Sequence, residues 1–183
     1  MAGYSGTPLA KKLGIKEGAR VILLGAPRGF ADELAPLPPG VTITTRLPKS
    51  GADVILLFAP SIKDLKARLN AAAAALAPTG GLWIGWLKKS SGIPTDLTEA
   101  DVHQLGLATG LVDTGRALHP DNDKMFTWWP YWKAARPRNV GWRIDYVLAS
   151  EGLAKEARAA GVRAEVGTSD HAPFVTEFAQ PFA

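Results

Sequence analysis

Four short runs rich in apolar and β-branched residues, at Arg20–Leu24, Val41–Thr45, Val54–Phe58 and Leu82–Trp86, alternate with segments of helical pattern, and this alternation most constrains how the 183-residue chain folds. Runs of this length bounded by turn residues read as strands. Between them, Phe30–Leu34 begins a helix and Ile62–Leu76 is a helix with an alanine-rich centre. Glu99–Gly106 is a third, with Thr98 as its N-cap. Strands alternating with helices predict an α/β fold in which a mostly parallel sheet carries helices on both faces. Such sheets bind nucleotides at the C-terminal ends of their strands, where this chain places the turn Gly25-Ala26-Pro27-Arg28-Gly29. That turn is not a G-x-G-x-x-G loop, and Pro27 removes a backbone donor that a phosphate would use, so a structural turn is favoured.

The last third is written differently. The run from Phe126 to Ser150 carries Trp128, Trp129, Trp132 and Trp142 interleaved with Lys133, Arg136, Arg138 and Arg143. Flat rings with cations suit nucleic acid, although tryptophans at this density also serve as core. Ile144, Tyr146 and Leu148 alternate with Asp145, Val147 and Ala149, which predicts a strand over Arg143–Ala149 with Asp145 opposite Ile144. Further strands are expected at Phe126–Trp129, Arg163–Val166 and Phe174–Phe178, with a helix over Glu151–Ala160. Asp170 and His171 would sit on the loop entering the last strand. An imidazole beside a carboxylate can act as a general base, orient a water or bind a phosphate oxygen. Two acids and a histidine at strand ends are what a metal-assisted phosphodiester site would need. An aspartate in a strand can equally satisfy a buried backbone or arginine partner.

The ordered pair Arg138-Asn139-Val140-Gly141-Trp142-Arg143-Ile144-Asp145-Tyr146 and Gly167-Thr168-Ser169-Asp170-His171 closely resembles the C-terminal part of the exonuclease III and apurinic/apyrimidinic endonuclease family. The likeness covers residues 111 to 180. It implies that His171 is the catalytic histidine at the scissile phosphate, that Asp170 orients it and belongs to the metal environment, and that Asp145 contacts it. It further implies that Trp128, Trp142 and Ile144 line the pocket for a flipped-out sugar and that Trp132 enters the DNA groove. Asn139 and Arg143 support that loop on the DNA-binding side. The implied cofactor is Mg²⁺ or Mn²⁺, with Asp170 as a metal residue, and the implied partner is DNA, abasic or single-stranded.

Family members also carry an early asparagine, a Gln-Glu-x-Lys strand and a Gly-Asp-Phe-Asn motif, none of which stands in residues 1 to 113. Asp53 and Asp96 are the candidate replacement carboxylates. Residues 4 to 113, and Trp83 to Thr98 above all, resemble a bacterial family of uncharacterised small proteins. The expected organisation is therefore a Rossmann-like α/β domain over 1–113, lacking its usual last strands, joined to a β-rich nuclease fragment over 114–183. The join falls near Gly110-Leu111-Val112-Asp113, with no Gly/Ser or Pro-rich spacer. The implied function is a DNA-repair nuclease by ancestry with weak or absent catalysis. The alternative is a non-enzymatic α/β protein with a nuclease-derived tail.

Charge does not single out the nuclease-like part: residues 1–113 hold 12 basic and 9 acidic side chains, and the remainder 9 and 8. With no cysteine, disulfides and thiolate metal sites are excluded. Lys11 and Lys12 interrupt any leader-like stretch and no run approaches a membrane span, so no membrane partner and a cytoplasmic location are expected. Strands cut off from a partner sheet predict either pairing with the N-terminal sheet or self-association through an exposed β surface.

Overall fold

The computed structural model describes residues 8–87, 92–166 and 169–179. It divides into two compact units, Gly6–Val102 and a second that takes in His103 onward. Residues 88–91 and 167–168 lie outside the described residues.

The first unit is the expected parallel sheet. β1 (Arg20–Leu24), β2 (Thr42–Thr44), β3 (Ala52–Phe58) and β4 (Leu76–Gly85) run in the order β2-β1-β3-β4, every pair parallel. Residues 21, 23, 54 and 56 face one way. There Val21, Leu23, Val54 and Leu56 form a core with Ala10 of α1 (Leu9–Lys12), Ile15, Ala19 and Leu34. The alternate residues Ile22, Ile55 and Leu57 are also fully buried, so the sheet is apolar on both faces, as parallel sheets are. α2 (Ile62–Ala75) buries Leu65, Leu69, Ala72 and Ala75, a stripe at helical spacing. It starts where Ser61 Oγ accepts the Asp64 amide at 3.2 Å and donates to the Asp64 carboxylate.

The turn after β1 is filled by protein. Arg68 Nη2 donates to the Phe58 carbonyl at 2.9 Å, and a Cβ added at Gly25 would lie 2.7 Å from Arg68 Nη1. Gly25 is needed for its φ of +68° and for this close approach. Phe30–Leu34 gives only a single 3-10 turn, Asp32–Leu34, because Pro36 holds Ala35 in the extended region. β4 begins at Leu76, immediately after α2, and is longer than its apolar part predicts. Its N-terminal half bulges against β3, where a Cβ at Gly80 would meet the Ala52 carbonyl at 2.6 Å.

From α3 (Glu99–Ala108) the chain enters the second unit. The Asp101 amide donates to Thr98 Oγ1 at 3.2 Å, the cap that the sequence predicts. β5 (Val112–Asp113) pairs antiparallel with β6 (Leu148–Ala149), with α4 (Thr114–Leu118) following β5. α5 (Glu151–Lys155) leads to β7 (Ala157–Val162), which pairs antiparallel with β8 (Phe174–Phe178). Three expectations are corrected here. The helix over Glu151–Ala160 stops at Lys155, because Ala157–Ala160 takes its backbone partners from β8 despite alanine's helix preference. The strand expected at Arg163–Val166 lies earlier, at Ala157–Val162. Only Leu148–Ala149 of the expected strand Arg143–Ala149 pairs as a ladder, since the amides of Ile144 and Asp145 both go to a side chain, Thr127 Oγ1. Phe126–Trp129 forms isolated bridges, from Trp128 to Trp142 and to His171. Among the described residues the strands of this unit pair as two two-stranded sheets, β5 with β6 and β7 with β8.

Candidate nuclease-like site

The centre of the second unit is Thr127, fully buried between Phe126 and Trp128. Its amide donates to the Trp142 carbonyl at 2.9 Å, and its carbonyl accepts the Ala172 amide at 2.8 Å. Its Oγ1 accepts the amides of Ile144 and Asp145 at 3.0 and 2.9 Å. One residue thus ties the stretch carrying Asp145 to the stretch carrying His171. Gly141 permits the same approach from the other side, since a Cβ there would strike the Trp128 carbonyl and the Trp129 ring.

His171 Nδ1 lies 2.9 Å from Asp145 Oδ2, both side chains a little under half exposed. An ionised carboxylate only accepts, so this contact places the proton on Nδ1 and leaves Nε2 as the basic edge. Beside them, Trp128 Nε1 donates to Asp170 Oδ2 at 2.8 Å and Ser169 Oγ donates to Asp170 Oδ1 at 3.2 Å. The Trp128 hydrogen bond, with smaller help from Ser169 and the neighbouring imidazole, holds the Asp170 carboxyl below its ordinary range against a modest desolvation. The Trp129 amide donates to the Asp170 carbonyl at 3.0 Å, which fixes the backbone of the same residue.

Trp128 and Trp142 stand with ring centroids 5.3 Å apart and tilted. Trp142 is 54% exposed and Trp132 63%, while Trp129 is buried. Ile144 is half-buried. The other expected contributors have internal partners. Asn139 accepts from Trp129 Nε1 at 3.1 Å and donates to the Lys124 carbonyl at 3.0 Å, in a left-handed conformation with φ of +48°. Arg143 forms a two-pronged pair with Asp113 at 2.7 and 2.6 Å and lies over the rings of Tyr146 and Phe174. His103 Nε2 approaches Asp113 Oδ2 at 3.4 Å without the alignment of a hydrogen bond, and its ring stacks on Tyr146. Burial alone would raise the Asp113 carboxyl, but the Arg143 guanidinium and the Arg116 amide outweigh it and hold the group below its ordinary range.

The donor set does not fit a self-contained divalent-cation site. Such an ion takes about six oxygen ligands. Both oxygens of Asp170 already accept hydrogen bonds, Asp145 faces His171, and among the described residues no three His, Cys, Asp or Glu side chains gather to hold a metal. Asp53 accepts the Arg20 amide and Asp96 the Ile62 amide, each at 2.8 Å, so both have local structural roles in the first unit. Sequence reasoning passed over Thr127, whose only signal was a β-branched polar residue inside an aromatic run.

An exodeoxyribonuclease from Bacillus subtilis (strain 168) is 45% identical over 67 residues, 37% of this chain and 27% of that protein. Recombination repair protein 1 from Drosophila melanogaster is 39% identical over 90 residues, 49% of this chain and 13% of that protein. The chain therefore spans only about a quarter, or less, of the length of these relatives. Among solved structures, the AP endonuclease LMAP from Leishmania major superposes with a TM-score of 0.41 at 32% identity, covering 45% of this chain and 25% of its own. The 3' phosphatase NExo from Neisseria, bound to a product DNA hairpin, gives a TM-score of 0.40 at 32% identity and covers 46% of this chain and 34% of its own. The model of the Endonuclease/Exonuclease/phosphatase family matches residues 75–171, ending on His171. With more than half of its residues in that match, and with the Asp145–His171 pair held beside Asp170, this chain belongs to the Endonuclease/Exonuclease/phosphatase family.

Proposed function

We propose that the second unit is a DNA-facing protein derived from a repair nuclease, retaining the histidine side of a phosphodiester-hydrolysing site with weak or absent turnover. The observation that carries this reading is the Asp145–His171 contact beside the anionic Asp170, next to the exposed ring of Trp142. In this reading Trp128, Trp142 and Ile144 receive an unstacked sugar or base, and Trp132 reaches into the groove. Exposed Lys133 and Arg138 supply cations for phosphate. Asn139 and Arg143 act by holding the loop and strand that carry these groups. His171 offers Nε2 as base or phosphate donor according to its protonation. Any retained activity would call on Mg²⁺ or Mn²⁺, whose ligands Asp145, Asp170 and His171 do not by themselves supply. A junction of ancestries near Asp113, with 1–113 from the uncharacterised bacterial family and 114–183 from the nuclease, must accommodate a nuclease-family match that begins at residue 75.

The test is fluorescence anisotropy with abasic and single-stranded oligonucleotides at low salt, followed by a salt titration. Salt-sensitive binding is expected, and no binding to either oligonucleotide at low salt sinks the reading. A Mg²⁺ incision assay against His171→Ala decides turnover: equal incision by both proteins means that catalysis is absent.

A second reading has one observation in its favour. The four-stranded sheet has its own apolar core within Gly6–Val102, which suits a non-enzymatic α/β protein whose tail is structural. Retention of a stable fold and of cellular function after deletion of 114–183 would favour it.

A further inference from the structure

Arg136 stands among the cations that the sequence offers for phosphate, yet its guanidinium is turned inward. Nη1 donates to the Ser169 carbonyl at 2.6 Å, and Nη2 donates to the carbonyls of Ala164 and Val166, each at 2.8 Å. The same group lies 4.8 Å from the centroid of the buried Trp129 ring. Trp129 in turn holds Asp170 through its backbone amide.

We propose that Arg136 is a positioning residue for this site: by gathering the Ala164, Val166 and Ser169 carbonyls while stacked on Trp129, it sets where Asp170 and His171 stand. Three carbonyl oxygens converging on one point repel each other unless a cation lies between them. A planar guanidinium has the donors and the fork geometry to satisfy all three and keep its face on an aromatic ring, whereas an ammonium on a flexible stem does not reproduce this. The cation is thus committed to backbone carbonyls near Asp170 and is withheld from phosphate. The inference rests on reading Asp145, Asp170 and His171 as the functional group, and it names what keeps them in register.

The experiment uses the full chain labelled with ¹⁵N and ¹³C. In the unsubstituted protein, couplings across hydrogen bonds from the Arg136 guanidinium to the Ala164, Val166 and Ser169 carbonyls are expected, and their absence overturns the proposal whether or not any variant folds. In Arg136→Ala and Arg136→Lys, the Trp128 indole N–H resonance and the His171 ring nitrogens should move while the Trp83 indole stays in place. Affinity for a fluorescein-labelled single-stranded oligonucleotide should fall about fivefold in both, as expected when a pre-organised surface is loosened. Folded variants in which Trp128 and His171 keep their resonances overturn the proposal, as does full rescue by lysine. If the unsubstituted protein shows the couplings and the variants show the shifts, but no protein binds the oligonucleotide, the clamp stands and the DNA-facing reading falls.

Discussion

Asp145 and His171 are 26 residues apart in sequence and meet at 2.9 Å, with no regular ladder holding either of them. Their contact is made by the backbone on each side of Thr127: one stretch is fixed through its hydroxyl, the other through its carbonyl. Asp145→Asn keeps the shape and removes the anionic acceptor. The expected result is a smaller fraction of the Nδ1-protonated tautomer of His171, read from its ring ¹⁵N shifts. An unchanged tautomer ratio would mean that the carboxylate does not orient the ring.

Thr127→Val tests the hydroxyl itself. The substitution is close in volume but leaves the Ile144 and Asp145 amides without their acceptor, and unsatisfied buried groups cost about 1–3 kcal/mol each. A loss of about 2 kcal/mol in urea unfolding is expected. The Asp145–His171 contact should be disturbed with it, which the same ring shifts would register. A neutral outcome would show that water replaces the hydroxyl.

Asp113 and Arg143 form a pair whose side chains are only 8% and 12% exposed. Asp113→Asn should destabilise by about 3 kcal/mol, since it strands a buried cation. The pH dependence follows from the direction of the shift. The Asp113 carboxyl is held below its ordinary value in the folded protein, so its contribution is complete above about pH 4. It is lost as pH falls through the lower folded value. Urea midpoints measured from pH 6 down to pH 2.5 should drop steeply at the acid end, and Asp113→Asn should flatten that drop.

Trp142→Ala addresses the surface. Removing one stacking ring costs about 1–3 kcal/mol per base, so affinity for single-stranded DNA should fall about tenfold or more. The salt dependence should be preserved, because no cation is lost. A parallel loss of salt dependence would indicate that Trp142 acts by supporting the loop.

The parallel sheet was legible because Val21–Leu24 and Val54–Phe58 are uninterrupted apolar runs, as burial on both faces requires. The motif residues Asp145, Asp170 and His171 were legible as text. What escaped was how they are held. The strand predicted through Asp145 assumed that its amide would pair with another backbone, and the competing acceptor was a single threonine hydroxyl. Arg136, Arg138 and Arg143 read as three equivalent surface cations. Arg136 turns inward to carbonyls and Arg143 to a buried carboxylate, and this depends on partners 28 to 33 positions away, which local pattern cannot supply. The helix expected through Ala160 failed for the same reason, because alanine's local preference yielded to a partner strand near the C-terminus.

The pairing of β5 with β6 bears on how the gene should be divided. A fragment opened at Thr114, where the two sequence resemblances meet, would leave behind the strand that Leu148–Ala149 pairs with and the carboxylate that neutralises Arg143. The junction expected from the sequence resemblances is therefore not a boundary in the fold. A dissection that respects the hydrogen bonds starts the second piece at or before Thr98, so that α3 is carried whole with its cap.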